Sequence, residues 1–139
     1  MGMIKFGIGI AIKNNVEAVE LYKKVFGMEL RNVDYFPEDS PNYGQYMHAE
    51  MWKDGAHLFD IMSQSEEEQS FDPKKQLHNF GAYFHTETEL KEAFDLLSDG
   101  GVVTSPFGTV LSWSSCSAGL IDKFGVSWWI SVDNNNHPV

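Results

Sequence analysis

Hydrophobic and polar residues alternate along this chain at two periods, and the switches between them mark out the elements. From Met3 to Ile12 the period is two: Ile8, Ile10 and Ile12 interleave with Gly7, Gly9 and Ala11, which predicts a strand with one apolar and one small face. The period becomes helical over VEAVELYKKVFG, where Val16, Val19, Tyr22 and Phe26 share a face, Asn14 or Asn15 offers an N-cap and Gly27 a stop. A second strand is expected over Met28 to Phe36, and PEDSPNYG reads as a loop. Tyr46 to Lys53 alternates again, with Met47, Ala49 and Met51 on one face and Tyr46, His48, Glu50 and Trp52 on the other. Asp54-Gly55 is a hairpin turn, and Ala56 to Ser63 returns as the fourth strand, with Phe59 and Ile61 on its core face and Leu58, Asp60 and Met62 opposite.

The stretch after Ser63 has no apolar periodicity and carries the run Glu66-Glu67-Glu68, which keeps a surface linker wet over roughly residues 64–77. The pattern then restarts. Asn79 to Thr86 is a predicted strand, Thr86 or Thr88 caps a helix with the stripe Leu90, Ala93, Phe94 and Leu97, and Gly100-Gly101 ends it. Strands follow at Val102 to Ser105, Trp113 to Ile121 and Val126 to Val132, the last two joined by the turn Asp122–Gly125, and residues 133–139 read as a frayed tail. Strand, helix and three strands therefore occur twice, with helix-ending glycines and post-turn glycines about 70 residues apart. The expectation is a single α+β domain of two βαβββ modules, about 1–63 and 78–132; a plain ferredoxin-like sandwich is the alternative at this level.

Composition narrows the partners. Of 139 residues, 42% are hydrophobic and 22% charged, as in an ordinary globular domain, which sets aside disordered and fibrous classes. Ten Lys and Arg against 20 Asp and Glu leave a formal charge of −10, which repels nucleic acid and acidic lipid surfaces. No apolar run reaches membrane length, and the N-terminal apolar stretch has no small-residue cleavage site and lacks the later hydroxyl residue of a myristoylation signal, since Phe6 stands there. The lone Cys116 can form no internal disulfide, which fits a reducing compartment, so a cytoplasmic location is expected.

Three stretches, VEAVELYKKVFGMEL, YMHAEMWKDGAHLFDIM and SDGGVVTSPFGTVLSWSSCSAGLIDKFGVSWWI, resemble the PhnB-like branch of the glyoxalase/bleomycin-resistance/dioxygenase superfamily, also called vicinal oxygen chelate proteins. The motifs concerned are LYKKVFG at the helix end, MHA before the DG turn, and GG…W…DKFGVSW; together they span nearly the whole chain. The resemblance implies a curved, mostly antiparallel eight-stranded sheet with helices on its convex face, a concave small-molecule cleft, and a homodimer. Its members include divalent-metal lyases, isomerases, dioxygenases and thiol transferases beside metal-free proteins that sequester drugs. A methyltransferase label is common in the PhnB-like branch, but no Gly-rich nucleotide loop follows a strand here.

The resemblance also implies four metal-ligand positions, on the first, fourth, fifth and eighth strands. They match Gly7, Asp60, Asn79 and Trp129, of which Gly7 and Trp129 have no ligating atom. A metal-free protein without a cofactor is expected; any metal present would be a divalent cation. A register slip of one residue would bring in His78 instead of Asn79.

Strand parity supplies the candidate cleft residues. His48, Glu50 and Asp60 form a polar set, in which a histidine beside carboxylates could act as a general base or be no more than a hydrogen-bonded strand histidine. Asp60 interrupts the apolar run LFDIM, where an unpaired carboxylate would be costly to bury, so it is the leading ligand-contacting group. Tyr83, Trp113 and Trp129, with Met62, suit a flat ligand, or ordinary packing; His85 sits at a strand end, on the rim. Cys116 stands where relatives carry an arginine, with no basic neighbour in WSSCSAG, so neither a nucleophilic thiol nor an anionic substrate is expected. These residues point to a small-molecule-binding protein holding a partly aromatic organic ligand without a metal. The alternatives are a divalent-metal-dependent lyase, isomerase or dioxygenase-like enzyme, an acid–base catalyst built on His48, Glu50 and Asp60, and a domain that only binds partners.

Overall fold

The computed structural model describes residues 2–3, 5–65, 68, 72 and 78–134. The chain divides into two compact units, residues 1–71 and 72–139. The first holds β1 (Gly9–Ala11), α1 (Asn15–Phe26), β2 (Glu29–Tyr35), β3 (Tyr46–Lys53) and β4 (Ala56–Met62). The second holds β5 (Phe80–Phe84), α2 (Glu87–Ser98), β6 (Val102–Leu111), β7 (Ser114–Ile121) and β8 (Ser127–Val132). The eight strands form two four-stranded sheets, ordered β1-β4-β3-β2 and β5-β8-β7-β6. In each, the first strand of the module pairs parallel with the last, and the other pairings are antiparallel. The fold is α+β, two βαβββ modules of one topology. Among the described residues, no helix is long and apolar enough to cross a membrane.

Three strand boundaries differ from the sequence pattern. Regular β1 is only Gly9–Ala11, although its parallel ladder to β4 extends one residue either way through Asp60 N to Ile8 O and Ile12 N to Met62 O, both 2.8 Å. Met3 and Lys5 to Gly7 lie before this regular ladder, although β4 itself continues back to Ala56. β6 runs to Leu111, through Pro106 and Gly108, with repeated register shifts against β7; an edge strand tolerates a proline because one side of it needs no ladder hydrogen bonds. Trp113 stands in the turn between β6 and β7, not in β7.

The helix ends show where local chemistry sufficed. Thr86 caps α2, its side chain accepting from Glu89 N at 3.1 Å. Gly27 ends α1 at φ 68°, donating its N–H to Lys23 O at 3.0 Å. At the start of α1, however, Asn14 makes no side-chain cap, and Gln45 from the β2–β3 loop accepts from Asn15 N at 2.9 Å. Asn15 is fully buried and works as a clamp: its Nδ2 donates to Tyr46 O at 2.8 Å and its Oδ1 accepts from Tyr46 N at 3.0 Å, tying the helix to the first residue of β3.

Each unit packs its helix through the expected stripe. Ala18, Val19 and Tyr22 of α1 are fully buried with Ala49, Met51 and Ile61 of β3 and β4, and Tyr22 meets Phe59 edge-on at 6.4 Å. In the second unit Leu90, Ala93 and Leu97 are buried with Ala118, Leu120, Trp128 and Ile130, while Phe94 is only half-buried, against Phe107 at 5.5 Å. The turn after β7 is anchored by buried Asp122, whose Oδ1 accepts from Phe124 N (2.9 Å) and Val126 N (3.0 Å) and whose Oδ2 accepts from Trp128 Nε1 (2.9 Å).

Replacing Asn15 by Ala removes the side-chain acceptor of Tyr46 N and one of two side-chain donors to Tyr46 O, the other being Ser63 Oγ at 3.2 Å, and is expected to cost about 1–3 kcal/mol of unfolding free energy. Asn14→Ala, which removes no bond, is expected to stay within about 0.5 kcal/mol. Urea denaturation of the two variants measures this; equal effects would refute the clamp.

Candidate functional site

In the first unit the site grows from the ladder between β3 and β4. Glu50 lies opposite Asp60 and His48 opposite Met62. The register then shifts between Met51 and Trp52, so that Trp52 pairs with His57 rather than Leu58. That one bulge brings His57 to the polar face, where its Nε2 lies 2.5 Å from Asp60 Oδ1 and its ring stacks on Trp52 at 5.2 Å, 11° from parallel. His48 Nε2 reaches the other oxygen of Asp60, Oδ2, at 3.0 Å. Asp60 is thus held between two imidazoles. Across the ladder, Glu50 Oε1 accepts from Asn32 Nδ2 (2.7 Å) and from Trp52 Nε1 (2.8 Å), and the Arg31 guanidinium lies 4.4 Å from the Trp52 ring centre.

Lys5 Nζ lies 2.5 Å from His57 Nδ1. Where the ammonium donates to Nδ1, the ring N–H that Asp60 accepts is the one on Nε2. Burial pushes the Asp60 carboxyl up, but hydrogen bonds from His48 and His57 and their charge outweigh it and hold the group below the ordinary aspartate value. Glu50 is lowered by its bonds from Asn32 and Trp52. One ligand atom each from Glu50, His57 and Asp60 lies within 4.8 Å of the others, the spacing of a possible cation site.

His48, Glu50 and Asp60 are therefore brought together as the parity argument expects. His57 escapes that argument, because strict alternation assigns it to the face of Phe59 and Ile61; the signal that could have found it is a histidine three residues before an aspartate, directly after a hairpin turn that favours a bulge.

In the second unit Gly81, Tyr83 and Trp129 share the face opposite Trp128 and Ile130, since Gly81 pairs with Trp129 and Tyr83 with Ser131. The Tyr83 ring folds over Gly81, with its hydroxyl 3.3 Å from where a Cβ would stand, and meets Trp113 edge-on at 6.1 Å. The Trp129 indole lies over Gly119, where a Cβ would come within 2.9 Å of its ring. Tyr83 and Trp113 thus form one aromatic pair, and Trp129 lies on the same face of the sheet, its ring toward β7. Trp129 Nε1 is buried and, among the described residues, is the buried side-chain polar atom without a hydrogen-bond partner. The rest of this face is closed: Ser131 and Ser117 are fully buried and bond each other at 3.0 Å.

The remaining candidates lie elsewhere. His85 is exposed just past β5, and His78 is exposed before it. Asn79 Oδ1 accepts a hydrogen bond from Ser127 Oγ. Gly7 is exposed and precedes β1. Cys116 is buried, and burial, with the charge of Glu87, pushes its thiol up, so it is a poor nucleophile at neutral pH.

The pH dependence follows from Asp60. A carboxyl whose folded value lies below its unfolded value contributes stability that is present above the unfolded value and is lost as pH falls through the folded one. Asp60→Asn should therefore lower stability at pH 7 by about 1–2 kcal/mol. The loss should shrink as pH falls below the ordinary aspartate range. Urea midpoints measured from pH 7 down to acid check it; a pH-independent difference would contradict the assignment.

No curated protein matches the chain. Among solved structures, the PhnB protein of Bacillus cereus superimposes with TM-score 0.77 at 23% identity, over 92% of this chain and 98% of that one. A Pseudomonas aeruginosa protein gives 0.70 at 18% identity over 94% and 98%. The fosfomycin resistance protein FosX of Listeria monocytogenes, solved with Mn(II) and sulfate, gives 0.64 at 12% identity over 96% and 93%. At these identities the likeness is one of fold. The family model for the Glyoxalase/Bleomycin resistance protein/Dioxygenase superfamily matches residues 8–130, both modules from β1 into β8, and the chain belongs to that superfamily.

Proposed function

We propose that this chain is a small-molecule-binding protein that holds a partly aromatic organic ligand without a metal at the superfamily's four ligand positions. The observation that carries the reading is the buried indole N–H of Trp129 left unpaired, on the sheet face that also carries Tyr83 and its edge-on contact with Trp113. An unpaired buried donor costs about 1–3 kcal/mol, and a ligand acceptor such as a carbonyl or ether oxygen would recover it. Flat apolar surface on Tyr83, which is 45% exposed, supplies stacking area. Of the four positions, Gly7 and Trp129 offer no metal-ligating atom, and Asn79 Oδ1 is engaged by Ser127. By analogy with the superfamily the protein works as a homodimer; its net charge of −10 and single cysteine suit the cytoplasm.

The alternative is a divalent-metal-dependent enzyme of the same superfamily, favoured by the Glu50, His57 and Asp60 grouping. A thermal-shift screen of chelator-treated protein against aromatic carbonyl compounds separates the two, because a ligand that binds only the folded state raises Tm. Hits are expected in the absence of metal, and Trp129→Phe, which keeps the ring and removes the N–H, should weaken them by about tenfold, the worth of one hydrogen bond. Hits that need added cation, or that ignore Trp129→Phe and Tyr83→Ala alike, would overturn the metal-free reading.

A further inference from the structure

We propose that Glu50, His57 and Asp60 form a divalent-cation site inside the first module, and that Lys5 competes with the cation for it. Of the superfamily's four positions only Asp60 takes part; Glu50 and His57 belong to the β3–β4 ladder alone. The inference does not rest on the organic-ligand reading, whose carrying residues lie in the second module.

The donor set comes first. Two carboxylates and one imidazole, with ligand atoms within 4.8 Å of one another, are borderline-to-hard donors suited to Zn(II), Co(II) or Mn(II). They stand on hydrogen-bonded strands, with Glu50 directly opposite Asp60, so little ordering remains for a cation to impose. Outer partners aim both carboxylates. Asn32 and Trp52 both donate to Oε1 of Glu50, and His48 donates to Oδ2 of Asp60, which leaves Glu50 Oε2 and Asp60 Oδ1 to face a metal. Trp52, stacked on His57, walls one side.

The competitor comes from proton bookkeeping. A cation on His57 Nε2 takes the place of the proton that now faces Asp60 Oδ1. The ring stays neutral by carrying that proton on Nδ1 instead. Nδ1–H then faces the Lys5 ammonium, and two donors cannot bond. Lys5 must swing away from His57, which its exposed position and flexible stem allow. The lysine thus fills, with one positive charge, the site's demand for a cation.

The test uses the full chain, freed of metal by chelator. Co(II) is followed by its visible absorption and by quenching of Trp52, and Zn(II) by calorimetry. One cation per chain is expected. His57→Ala and Glu50→Gln should each weaken binding by at least about tenfold, Lys5→Met should tighten it by a similar factor, and Trp129→Phe should leave it unchanged. Lys5→Met loses no core contact, so it remains informative even if His57→Ala fails to fold; binding seen only in Lys5→Met would also support the site. No cation bound by wild type or Lys5→Met at millimolar metal would overturn the proposal, as would binding indifferent to Glu50, His57 and Lys5. Neither result would bear on metal-free ligand hits that depend on Trp129.

Discussion

The register of the ladder between β3 and β4 is the constraint on which the first module turns. Side chains alternate across a sheet, so pairing Glu50 with Asp60 and Met51 with Phe59 sends one set under α1 and leaves the other for chemistry. Met51 and Ile61 are fully buried on the helix side, while His48, Glu50 and Asp60 remain half-buried on the other. The slip after Met51 leaves Leu58 without a partner and brings His57 to the polar face beside Trp52, while Met51 and Phe59 stay paired on the core side.

The polar face depends on mutual compensation. Asp60, partly withdrawn from water, would be unfavourable as an ion without donors; His48 and His57 supply one to each oxygen. Glu50 draws on Asn32, which adopts the left-handed conformation at φ 50° where β2 breaks its register with β3. Irregularities in two neighbouring ladders, β2–β3 and β3–β4, thus converge on one pair of carboxylates. Sheet irregularities that re-aim side chains toward a polar cluster are common beside functional sites, and the arrangement holds ionised oxygens and imidazole nitrogens together before any ligand arrives.

The second module repeats the topology with other chemistry. Glycines at 81 and 119 take the place that side chains would fill, and the rings of Tyr83 and Trp129 lie over them. Where β4 carries His57 and Asp60, its counterpart β8 carries Trp129 with one unpaired donor, and Tyr83 adds aromatic surface from β5, while Ser117 and Ser131 bond each other. One scaffold thus supports two faces of different character, because the scaffold specifies only which positions look outward.

The sequence by itself determined the double βαβββ order, the apolar stripes of both helices, the Thr86 cap and the Gly27 stop, since each follows from periodicity or capping within a few residues. It also brought out His48, Glu50, Asp60, Tyr83 and Trp129 on the non-core faces, because parity holds wherever a strand is regular. It misplaced Trp113 in a strand, ran the first strand too far toward the N-terminus and passed over His57, where a turn, the short regular ladder of β1 and a bulge broke the pattern. Only the tertiary structure decided that Gln45 caps α1, that Asn15 clamps Tyr46 and that Lys5 meets His57, contacts 30, 31 and 52 residues apart in sequence. Such bonds are specified by the register of distant strands, and no local pattern of hydrophobic and polar residues encodes that register to within one residue.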